Sequence, residues 1–157
     1  MIFREFQGRV CAGLAWLGEE FTSANDDWAS LAFLEDNAGR LTVVPLGAAA
    51  GQPEVLVALS RHERARKLAT SAPGWVCGVH AEATTASSAS TRPYTDGLTL
   101  PADGLEVLWV VVLDEERTES WIAPIARDQS GPPRLGEWVC TGEPAGPLVD
   151  PLKQALR

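Results

Sequence analysis

"LEVLWVVVLD", residues 105–114, is apolar on both of its alternating faces, with Leu105, Val107, Trp109 and Val111 on one and Leu108, Val110 and Val112 on the other. A strand of this kind is expected at the centre of a sheet that is covered on both sides. The rest of the chain must then supply neighbouring strands and two covering layers. Directly downstream, Glu115-Glu116-Arg117-Thr118 turns the chain into "ESWIAPIARD" (119–128). Pro124 in that run cannot donate to a ladder, which predicts an edge strand or a bulge. A Pro/Gly loop, a short strand "LGEWVC" (135–140) and a closing helix begun by Asp150-Pro151 follow.

Upstream, Val10, Leu14, Leu17 and Phe21 recur at i, i+4, i+7 and i+11. Residues 5–21 therefore read as an amphipathic helix, weakened by Gly8, Gly13 and Gly18. "WASLAFLEDNAGRLTVVPL" (28–46) reads as a hairpin turning at Asp36-Asn37-Ala38-Gly39. Pro53 and Glu54 suit a first helical turn, so the spacing predicts a helix from 53 to about 70, stopped by Ala72-Pro73-Gly74. Residues 75–84 then read as a strand, and 86–104, poor in packing residues, as a mobile loop. The expectation is a single α+β domain over residues 1–157. It has the order α-β-β-α-β-β-β-α and a largely antiparallel sheet of about five strands with helices packed on it.

Of the 157 residues, 45% are hydrophobic and 22% charged, with a formal charge of −8. That acidity disfavours nucleic acid and anionic membranes as partners. Cys11, Cys77 and Cys140 are too scattered for a disulfide framework or a paired zinc motif, and their odd number suits a reducing cytoplasm. Arg4 and Arg9 ahead of "VCAGLAWLG" mimic a signal peptide, but Glu19 and Glu20 follow and no small-residue cleavage site appears. No apolar run reaches the roughly 20 residues of a membrane span. Eleven arginines against two lysines reflect coding bias and not function.

"GWVCGVHAEATT" (74–85) brings Cys77, His80 and Glu82 close together. Strand parity sends Cys77 to one face and His80 with Glu82 to the other, which leaves the latter two as the candidate catalytic pair. Their H-x-E spacing lacks the Pro-Cys-x-x-Cys of the zinc deaminases, and a metal site from Cys11, Cys77, His80 and Cys140 is set aside, so no metal or cofactor is expected. On the predicted second helix Arg61, Arg64 and Lys67 form a basic stripe that suits an acidic partner segment or an anion. Six tryptophans are many for this length; Trp109 is assigned to the core, and Trp121 and Trp138, on predicted edge elements, become interface candidates. Phosphate-loop, dinucleotide-binding, hydrolase-elbow and zincin motifs are all absent from the sequence.

"DDWASLAFLEDNAGRLTVVPLG", "GWVCGVHAEA", "LEVLWVVVLDEERTESWIAPI" and "DPLKQALR" together resemble a loose group of small proteins from high-GC bacteria, a resemblance that implies no activity and no site residue. The element order is similar to that of roadblock and longin domains, which implies an adaptor or dimerisation platform. The leading expectation is a cytoplasmic protein–protein interaction module, an adaptor or accessory subunit that binds a protein partner and forms a homodimer through a strand edge and its tryptophans. The alternatives are a small enzyme using His80 and Glu82 in a pocket beside 86–104, and an acidic mimic of nucleic acid.

Overall fold

Helix α1 (Ile2–Glu19) buries Phe3, Phe6, Val10 and Leu14, with Leu17 half-buried behind them. A computed structural model describes residues 2–50, 52–76, 104–128, 130–144 and 149–157. After α1 come β1 (Leu31–Asp36), β2 (Leu41–Pro45), a short 3-10 turn (Gly47–Ala49), α2 (Pro53–His62) and β3 (Ala65–Val76). They are followed by β4 (Leu105–Asp114), β5 (Thr118–Ala126), β6 (Arg134–Leu135), β7 (Val139–Gly142) and α3 (Asp150–Ala155). The strands form one antiparallel sheet in the order β2-β1-β3-β4-β5-β6, with β7 also paired to β5. The fold is α+β, with helices on both faces of a sheet that has seven strands among the described residues.

Strand parity sorts the core into two layers. Leu31, Phe33, Ala69, Leu108, Val110 and Val112 face α1, and Trp28 joins them from the loop after it. Ala32, Leu34, Leu68 and Leu113 face the other way, against Leu56 of α2 and Leu152 and Leu156 in and just after α3. Trp109 lies half-buried in a third cluster with Val76, Val107 and Ile122 at the far end of that second face. "LEVLWVVVLD" is thus central and covered on both sides, as its two apolar faces require.

Gly18, which weakens α1 as a helix former, is needed for packing. A Cβ there would stand 2.6 Å from Cζ2 of Trp28, whose indole N–H donates to the Leu14 carbonyl at 2.8 Å. Gly18→Ala is expected to cost about 1–3 kcal/mol, because the buried ring has nowhere to retreat, and urea unfolding of the variant checks this.

Three expectations are corrected. The helix over 53–70 stops at His62, and residues 65–76 form a strand. "RHERARK" is locally helical by propensity, but from Ala65 onward the chain pairs with β1 on one side and β4 on the other, and tertiary pairing overrides propensity. The junction is made by Arg64 at φ 54°, the left-handed conformation that glycine adopts freely. Arg64→Gly is therefore expected to raise stability by about 0.5–1 kcal/mol, again read from denaturant midpoints.

Among the described residues the sheet has seven strands where about five were expected, and the stretch read as a single strand at 135–140 holds two short pieces, β6 and β7. Strand β5 is consequently no simple edge. Its outer side pairs with β7 at residues 120–122 and with β6 at 125–126. Pro124 sits at the break between them, where no donor is needed, and its carbonyl accepts the Gly136 N–H at 2.8 Å.

Candidate functional site

Among the described residues strand β2 ends the sheet. The Leu46 N–H donates to the Ser30 carbonyl and the Asp36 N–H to the Arg40 carbonyl. These bonds fix the alternation of the β1–β2 ladder: Thr42 and Val44 turn their backbone groups inward to β1, and Leu41, Val43 and Pro45 turn theirs outward. The outer edge offers two N–H donors, from Leu41 and Val43, and three carbonyls, while Pro45 supplies no donor. Among the described residues no strand pairs with this edge. From Leu41 to Pro53 the chain carries no charge, so the usual lysine or glutamate guard on an open edge is missing.

On the α1 side of the sheet two large apolar side chains are exposed. Val43 is 46% exposed and Trp16 58%. Trp16 follows Arg9 and Gly13 at i, i+4 and i+7 along one side of α1. That side turns toward β1: Arg9 donates to Glu35 and to the Gly39 carbonyl, and a Cβ at Gly13 would touch the ring of Phe33, the cross-strand partner of Val43. Trp75, 56% exposed, stands apart near the end of β3. Sequence reasoning passed over Trp16 and Val43. The signal for Trp16 was present, since it falls outside the apolar row Val10, Leu14, Leu17. For Val43 the strand order was required.

The residues singled out from sequence are not brought together. Arg61 lies exposed in the last turn of α2, Arg64 exposed in the left-handed junction, and Lys67 in β3. No helical stripe joins them, because the helix ends before two of the three. The Lys67 side chain, only 12% exposed, reaches inward to Glu35 at 2.9 Å. Trp121 and Trp138 are half-buried against the α1-side core, and Arg4 lies over the Trp121 ring at 5.6 Å from its centroid. Cys77, His80 and Glu82 lie outside the described residues, as does 86–103 of the predicted loop.

Two buried carboxylates anchor α1. Glu35 accepts from both Arg9 and Lys67, and Glu119 accepts a two-pronged contact from Arg4 at 2.9 and 3.0 Å, with Arg117 and the Trp121 indole adding to it. Beside Glu35 a hollow of about 390 Å³ is lined by Glu5, Arg9, Asp36 and Arg66. Its acids and bases alternate, which suits no single charge class of ligand. Asp36 is held below the usual carboxylate range by the backbone N–H of Arg40 and then by its guanidinium. A second hollow, of about 340 Å³, lies between the end of α1 and Pro132–Leu135. Burial pushes the Cys11 thiol up to about 11, partly offset by a hydrogen bond from Gln7, so it stays protonated and unreactive near neutrality. Among the described residues no three His, Cys, Asp or Glu side chains gather as metal ligands. No described helix is long and apolar enough to cross a membrane.

Comparison with protein-family models, curated proteins and solved structures gave no match. The open β2 edge with Val43 and Trp16 is therefore judged on its geometry alone.

Proposed function

We propose that this chain is a cytoplasmic protein–protein interaction module, an adaptor or accessory subunit, whose working surface is the β2 edge flanked by Val43 and Trp16. One observation carries the reading: the terminal strand is uncharged, turns two donors and three acceptors outward, and bears the exposed Val43. Such an edge is a template for a further strand, with backbone hydrogen bonds giving affinity and alternate side chains giving selectivity. Trp16 adds the large amphipathic anchor that dominates many interfaces.

The interface is thereby moved from the β5 side, where the sequence pointed, to the opposite edge of the sheet. Trp121 and Trp138 serve packing under this reading. An acidic mimic of nucleic acid draws less support, because Asp27, Glu35, Asp36, Glu106 and Glu119 each face a cation, which breaks up a continuous acidic field.

Affinity purification from native cells tests the proposal, comparing the wild type with a Trp16→Ser/Val43→Lys variant whose changes fall on exposed side chains. A polypeptide held stoichiometrically by the wild type and lost from the variant is the expected result. Equal recovery by both proteins, or none by either, would count against it.

A further inference from the structure

We infer that β2 pairs antiparallel with β2 of a second copy about a two-fold axis at Val43, joining two seven-stranded sheets into one. The inference rests on the interaction-module reading and names one partner for its surface. With the axis at Val43, the two Val43 residues exchange both of their outward hydrogen bonds, and each Leu41 N–H meets the Pro45 carbonyl of the other copy. Pro45 loses nothing in this arrangement beyond the donor it never had.

The registers centred on the other two outward-facing residues are poorer. An axis at Pro45 would set two prolines opposite each other with no N–H between them. An axis at Leu41 would bring Gly39 into the ladder, whose N–H already donates to Asp36, and would crowd the two Asp36–Arg40 ion pairs together. The Val43 axis instead places Arg40 opposite Leu46 of the other copy and Thr42 opposite Val44. No charge then meets its like across the strip.

That matters for a chain of net charge −8, since two copies repel at long range and can meet only where the surface is locally neutral. Leu41 to Pro53 is such a stretch. The alternation also puts Val43 of each copy against the other on the α1 face, the same side as Trp16. A five-residue strand with two large apolar side chains per copy is a small interface, so the dimer is expected to dissociate on the order of micromolar concentration.

Sedimentation velocity across a wide concentration range, with Val43→Pro and Val43→Thr alongside the wild type, decides the matter. Among the described residues the Val43 N–H has no partner within one copy, so proline there removes only the outward donor, and circular dichroism checks that the fold is kept. The wild type and Val43→Thr are expected to shift from monomer to dimer as concentration rises, and Val43→Pro to remain monomeric. Should proline disturb the strand, Val43→Lys, which sets two ammonium groups across the axis, is expected to be monomeric at low salt. A wild type that stays monomeric throughout would overturn self-pairing and leave the affinity-purification result to judge the module reading. Undiminished dimerisation in Val43→Pro and Val43→Lys would overturn the β2 site.

Discussion

Glu35→Ala is expected to lower the unfolding free energy by about 3 kcal/mol, seen as a drop in the urea midpoint with little change in slope. Glu35 is 7% exposed, and its two oxygens hold Lys67 and Arg9. Removing it strands the ammonium of Lys67, whose side chain is 12% exposed, beneath α1. Arg9, 45% exposed, can turn to water at little cost, so the loss falls mainly on the lysine. The pair is expected to do more for specificity than for stability, since buried ion pairs regain little beyond their desolvation. A Glu35→Met/Lys67→Met double variant is accordingly expected within about 1 kcal/mol of the wild type. A double variant as unstable as the single one would show that the pair, and not the stranded charge, sets the loss.

Trp28→Ala is expected to cost about 3–5 kcal/mol, the range for emptying a large buried aromatic site. The ring is 3% exposed, meets Phe21 edge-on at 4.8 Å between centroids, and donates its N–H to the Leu14 carbonyl. It also fills the slot that Gly18 opens in α1. The two positions must therefore couple. In the Trp28→Ala background, Gly18→Ala is expected to change sign and stabilise by up to about 1 kcal/mol, since only helix propensity is then left. Additive losses would mean that Gly18 and Trp28 do not share the slot.

Elements governed by local pattern were legible in the sequence. The two apolar faces of β4 and the turn chemistry of Asp36 to Gly39 fall where the pattern puts them, and the apolar row of α1 does so as far as Leu17, the helix running Ile2–Glu19 in place of 5–21, with Phe21 beyond its end. In that turn the Asp36 carboxylate accepts the N–H groups of Ala38 and Arg40, and Gly39 takes a φ of 81°. The α2–β3 junction was not legible, because "RHERARK" favours helix locally, and its strand conformation depends on β1 and β4, which lie far away in sequence. The same limit applies to the site. Alternation in "LTVVP" shows which side chains share a face, but the place of β2 at the end of the sheet follows from strand order. Pro124 suggested an edge where the structure has a break between two short partners. Lys67, read as part of a basic stripe on a helix, is drawn inward by Glu35, a contact that only the folded register creates.

Leu41 and Val43 point their backbone groups away from the sheet, and the proposed partner binds there. Residue-resolved amide hydrogen exchange over β2, recorded from dilute to concentrated protein, tests it most directly. The Thr42 and Val44 amides, bonded inward to β1, are expected to exchange slowly at every concentration, while Leu41 and Val43 exchange fast in dilute solution and become protected as copies associate. Protection of Leu41 and Val43 in the dilute monomer, or fast exchange there at every concentration, would contradict the account.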